Sequence, residues 1–122
     1  MGTFKIGLKV ENITDRSHSA IVKNVLVDTG SEYTWLPEAV LRRVKIAVEK
    51  KDVPFVMANG QKITRSLGFA LIRVGQAFTV DEVVFAQPGD LQLLGARTLE
   101  GLNLVVNSRD KKLAAAGPIV VA

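Results

Sequence analysis

A chain of 122 residues, 48% of them hydrophobic, has the length and apolar content for one core, so residues 1–122 are expected to form a single domain. It contains no cysteine and a single histidine, His18, which excludes disulfides, thiolate catalysis, cysteine-bound zinc and a multi-histidine metal site within the chain; no cofactor or metal is expected. The formal charge of +4 comes from small, scattered groups such as Arg42-Arg43-Lys45 and Lys50-Lys51, without interleaved aromatic residues, so no nucleic-acid partner is expected.

The predicted elements are mostly strands. In TFKIGLKVE, Phe4, Ile6, Leu8 and Val10 alternate with Lys5, Gly7 and Lys9, the period of a half-buried strand. His18, among Arg16, Ser17 and Ser19, falls in an exposed turn. AIVKNVLVD, residues 20–28, is a second strand, apolar on both faces near its end. Residues 37–44, PEAVLRRV, carry Val40, Leu41 and Val44 at helical spacing behind a first-turn proline. Residues 53–75 read as two strands around Asn59-Gly60, a hairpin signal because both residues accept positive φ. A further strand follows at 77–86, a short helix at 96–102, and a second hairpin around Arg109-Asp110 between NLVVNS and KKLAAA. PIVV at 118–121 is short, apolar and β-branched. No apolar run reaches about 18 residues, and the first residues alternate rather than forming an apolar leader, so no membrane partner is expected and a cytoplasmic location is. The pattern is that of a small all-β domain, closed or nearly closed as a barrel, with one or two short helices.

One stretch carries chemistry. VLVDTGSEYTWLP, residues 25–37, drives Asp28 into the end of an apolar strand, and a buried carboxylate is costly unless it is paired, hydrogen-bonded or protonated. Gly30 allows a sharp turn there. A weaker echo, LQLLGARTL, follows roughly 65 residues later: an apolar run, a glycine and a short helix.

Asp28-Thr29-Gly30-Ser31 after an apolar run, then Leu93-Leu94-Gly95 leading into a helix, resemble a retropepsin-type aspartic protease, over about residues 20–115. The match is nearest to the single-domain cellular and prokaryotic members, and DTGSEYTWLP also resembles the corresponding segment of pepsin-like enzymes, Trp35 included. The resemblance implies a closed six-stranded acid-protease barrel with Asp28, Thr29 and Gly30 catalytic. It implies that the Thr29 hydroxyl reaches across to a partner loop, that Ser31 hydrogen-bonds the outer oxygen of Asp28 and so favours activity on the acid side, and that Leu93-Leu94-Gly95 packs beneath the catalytic loop. It implies two aspartates sharing one proton, one activating water and the other polarising the scissile carbonyl. No second acid repeats the context of Asp28, so activity implies a homodimer. The hairpin near Asn59-Gly60 takes the place of the flap, which puts Met57, Ala58, Asn59 and Gly60 beside a peptide or protein substrate with Ser31 and Trp35. Val56 and Ile63 would also approach it. The flap tip is not glycine-rich and has no tyrosine. Trp35 fits core and cleft alike. Phe4, Ile6 and Ile119-Val120-Val121 are the candidate dimer surfaces.

The leading expectation is therefore a homodimeric aspartic endopeptidase. The alternative is an inactive module of the same fold that binds peptides or mediates dimerisation. A small-ligand β-barrel is the third reading.

Overall fold

A computed structural model describes residues 3–121. The strands are β1 (Lys5–Glu11), β2 (Ser19–Val27), β3 (Thr34–Pro37), β4 (Lys50–Val56), β5 (Lys62–Val74), β6 (Ala77–Ala86), β7 (Leu93–Leu94), β8 (Leu104–Asn107) and β9 (Lys112–Ala115). Two short helices, α1 (Glu38–Arg43) and α2 (Ala96–Leu102), follow β3 and β7. Seven strands form one sheet in the order β1-β2-β7-β3-β6-β5-β4, and an extra β1–β5 pairing bends it into a ring. The ring has six members, and β4 hangs on β5 outside it. This is the all-β acid-protease barrel that the motifs imply. Strands β8 and β9 form a separate two-stranded sheet, the expected second hairpin.

Alternation fills the ring. Leu8 and Val10 of β1, Val22 and Val25 of β2, Leu36 of β3, Ile72 of β5, Val83 and Phe85 of β6 and Leu94 of β7 are all buried in one cluster. Each such side chain contributes about 1.5–3 kcal/mol through its removal from water. The thirteen-residue β5 serves two structures: Lys62 to Leu67 pairs with β4, while Leu71 to Arg73 pairs with β1 and closes the ring. Proline is tolerated at position 54 because β4 is an edge strand and needs no donor there.

Two local expectations are corrected, the place of Pro37 and the geometry of the Asn59-Gly60 turn, and two segments that the pattern left without an assignment, TWLP and residues 118–121, receive one. Helix α1 begins at Glu38; Pro37 ends β3 and stands at the N-cap, where its missing N–H leaves no unmet bond. TWLP is a buried strand of its own, inserted between β7 and β6. At the flap turn only Gly60 has positive φ, +84°, and Asn59 does not. The loop has three residues, 58–60, closed by Gly60 N–H donating to the Met57 carbonyl at 2.8 Å and Gln61 N–H to Asn59 Oδ1 at 2.9 Å. Such a loop needs one left-handed residue at its end rather than two. Residues 118–121 form no strand, and Ile119, Val120 and Val121 lie exposed.

The seam between β1 and β5 carries a half-buried ion pair, Arg73 Nε to Glu11 Oε2 at 2.7 Å, with the Glu11 side chain only 4% exposed. The hydrogen bond from Arg73 holds the Glu11 carboxyl below its ordinary range, although burial pushes the other way. A carboxyl lowered by folding adds stability that is present above its unfolded value and disappears as pH falls through the folded one. Glu11→Gln is therefore expected to be less stable than the wild type at pH 7. The gap should narrow below about pH 4, as read by urea unfolding at a series of pH values.

Candidate active site

Asp28 stands one residue past β2, half-buried. Its N–H donates to the Leu94 carbonyl at 3.0 Å, which extends the parallel pairing of Leu26 with Leu93 and Val27 with Leu94. The two echoed stretches of the sequence thus lie side by side. Its own carbonyl accepts from Ser31 N–H at 3.2 Å, and its carboxylate accepts from Gly30 N–H at 2.9 Å. This is a tight turn folded back on its aspartate. The strand ends before Asp28, so the carboxylate meets a cleft and not the core.

Residues 31–34 are docked on β7 and α2. The Ser31 and Glu32 carbonyls accept from Ala96 N–H at 2.7 Å and Arg97 N–H at 3.1 Å, which satisfies amides that the first turn of a helix leaves open. Gly95 N–H donates to the buried Thr34 hydroxyl at 3.0 Å. Thr98 donates to Asp81 Oδ2 at 2.9 Å, so its proton is committed, and Thr34 must donate to Thr98 across 2.6 Å. A polar chain therefore runs from the Gly95 amide through two buried hydroxyls to the Asp81 carboxylate, with every member bonded. The Arg97 guanidinium lies 4.8 Å over the Tyr33 ring.

Asp28, Gly30 and Ser31 open into a cleft of about 470 Å³ that is also lined by Trp35, Met57 and Ala58. These six predicted site residues are brought together. Thr29 is exposed on the same turn, outside the cleft lining, and its hydroxyl makes no hydrogen bond among the described residues. Asn59 and Gly60 sit at the exposed hairpin tip, and neither they nor Ile63 line the cleft. Trp35 is both core and cleft: it is 6% exposed, packs on Phe55 with ring centroids 5.1 Å apart, and still borders the cavity. Ser31 is corrected. Its hydroxyl donates to the Tyr33 carbonyl at 2.9 Å and not to Asp28, so the inference of acid-side activity loses its support.

Sequence reasoning missed Tyr33, Phe55, Asp90 and Leu91 in the lining. Phe55 and Tyr33 meet edge to face at 5.7 Å, and with Trp35 they seat the hairpin on the barrel. The alternation of β4, with Val53, Phe55 and Met57 on one face, was the available signal. The Asp90 carboxylate is held by Arg65, so it is not a free partner for Asp28.

The family model described as gag-polyprotein putative aspartyl protease matches residues 8–101, from β1 through most of α2. No curated protein matches the chain.

A Cβ on Gly95 would overlap the Tyr33 carbonyl. Gly95→Ala is therefore expected to lower stability by about 1–3 kcal/mol, as overpacking does. Urea unfolding measures the loss, and shifted amide resonances at residues 28–34 would report the displaced loop.

Proposed function

Since the chain belongs to the gag-polyprotein aspartyl protease family, we propose that it is an aspartic endopeptidase, with residues 1–122 working as one domain and two copies forming one active site. The observation that carries the reading is the setting of Asp28: a carboxylate on a backbone-locked turn, open to an apolar-walled cleft, with no hydrogen bond to a second carboxylate among the described residues. A second copy related by a two-fold axis supplies the missing group.

In this reading one Asp28 carboxylate takes a proton from a water molecule, and the water oxygen bonds to the scissile carbonyl carbon. The Asp28 of the second copy, protonated, donates to the carbonyl oxygen. The first Asp28, now protonated, gives that proton to the amide nitrogen while the second Asp28 takes back the hydroxyl proton, and the tetrahedral species collapses to the acid and the amine as the C–N bond breaks. The exposed Thr29 hydroxyl, which has no hydrogen bond among the described residues, bonds across the two-fold axis in this reading. Gly30 gives the turn its shape. Ser31, Trp35, Met57 and Ala58 contact the peptide, and Asn59 and Gly60 reach it from the flap tip when the hairpin closes. The exposed Ile119-Val120-Val121 segment suits the dimer surface. Phe4 and Ile6 suit it less, because both pack partly against the protomer's own core.

Incubation with an unfolded protein over a range of pH, with and without pepstatin, should yield pepstatin-sensitive fragments. Asp28→Asn is expected to reduce cleavage by at least about 10²–10⁴-fold, the range of general acid–base catalysis. Equal cleavage by the variant would refute the assignment. Peptide binding without cleavage by the wild type would point to an inactive module of the same fold. Sedimentation should show dimers, and truncation after Gly117 should shift them toward monomers.

A further inference from the structure

The hairpin β4–β5 is fastened to the barrel by two kinds of contact. One is apolar, Phe55 on Trp35 and Tyr33. The other is ionic. Arg65 lies on β5 opposite Val53 and reaches Asp90 in the loop between β6 and β7. Arg65 Nε donates to Asp90 Oδ2 at 2.7 Å and an Nη to Oδ1 at 2.8 Å, the two parallel bonds of a guanidinium–carboxylate fork. The remaining Nη donates to the Thr64 carbonyl at 2.8 Å, and Gln87 N–H donates to Asp90 Oδ2 at 2.8 Å. The side chains are only 17% and 12% exposed, so salt and water screen the pair weakly. The Lys50–Glu82 pair at the foot of the hairpin differs: its lysine is 54% exposed.

Position gives the pair its meaning. Asp90 and Leu91 form one wall of the Asp28 cleft, while Val56, Met57 and Ala58 cover it from the hairpin. From Arg65 toward the tip, no further ion pair joins the hairpin to the barrel among the described residues. We propose that Arg65 and Asp90 are positioning residues, a clamp that joins the base of the flap to the cleft wall, so that only residues 54–64 move when a peptide enters. The proposal rests on the reading of this cleft as a peptide site. Arginine matters here as a fork: lysine would keep the charge and lose the paired geometry.

The test uses the full chain as wild type, Arg65→Lys, Arg65→Gln, Asp90→Asn and the Arg65→Gln/Asp90→Asn double variant. Amide hydrogen exchange is measured by residue, and kcat/KM is measured on a peptide. Exchange at residues 55–57 and 62–64 should accelerate by about tenfold or more in the Gln and Asn variants and by less in Arg65→Lys, with β1 and β2 as protected as before. The value of kcat/KM should fall in the same order, and the double variant should be no worse than the worse single one. Unchanged flap exchange would overturn the clamp. So would acceleration spread evenly over β1, β2 and β6, which would make the pair a general stabiliser. If Arg65→Gln does not fold, Arg65→Lys decides by the same exchange pattern. If the wild type cleaves nothing, the protease reading fails, while exchange still decides whether the clamp exists.

Discussion

The constraint on which the candidate site depends is the close approach of the backbone at Gly95 to the backbone at Tyr33. There is no room for a side chain between them, and three adjacent bonds depend on that proximity: Ala96 to the Ser31 carbonyl, Arg97 to the Glu32 carbonyl and Gly95 to the Thr34 hydroxyl. The turn carrying Asp28 is fixed by the same arrangement, since Asp28 itself bonds to Leu94. Main-chain bonds do not rotate away as side chains do. The carboxylate therefore leaves a frame whose position is set by the main chain, which is what the proposed catalytic role requires.

The barrel and the hairpin above the cleft share one strand. Because β5 closes the ring at one end and forms the hairpin at the other, the hairpin base and the seam with β1 lie on one continuous strand. The two least exposed ion pairs among the described residues fall on this strand, Arg73–Glu11 at the seam and Arg65–Asp90 at the hairpin base. Both consist of a guanidinium on β5 and a carboxylate on another element. The apolar packing of Phe55 against Trp35 then fills the space between hairpin and floor without fixing a direction. Packing of that kind tolerates sliding, and a fork of two hydrogen bonds does not.

Much of the fold was legible because a period of two survives in the chain. Strand β6 was read with its observed limits, and the hairpin, the second hairpin and the helix after Leu93-Leu94-Gly95 were placed correctly. TWLP was harder. It is buried and only four residues long, so it shows no alternation, and its partners β6 and β7 lie far away in sequence. The flap turn was recognised with the wrong geometry, because Asn-Gly also suits a loop in which glycine alone is left-handed. At the candidate site, Asp28, Gly30, Met57 and Trp35 were found from motif and position. Tyr33 and Phe55 were passed over because aromatic residues on a strand look the same whether they face a core or a cleft.

The sequence by itself determined the all-β class, the strand that leads into Asp28 and its glycine turn, since these follow from local alternation and from what a glycine permits. It also determined that a second acid in the same context is absent from the chain. Tertiary structure decided where the Ser31 hydroxyl goes, that Asp90 is held by Arg65, and that the buried Thr34 and Thr98 form one polar chain ending at Asp81. Those outcomes depend on partners up to 64 residues apart. A hydroxyl or carboxylate takes the nearest complementary group that the folded chain delivers; for Ser31 that group is two residues away, and for Thr34 and Asp90 only the packing of distant elements brings it within reach.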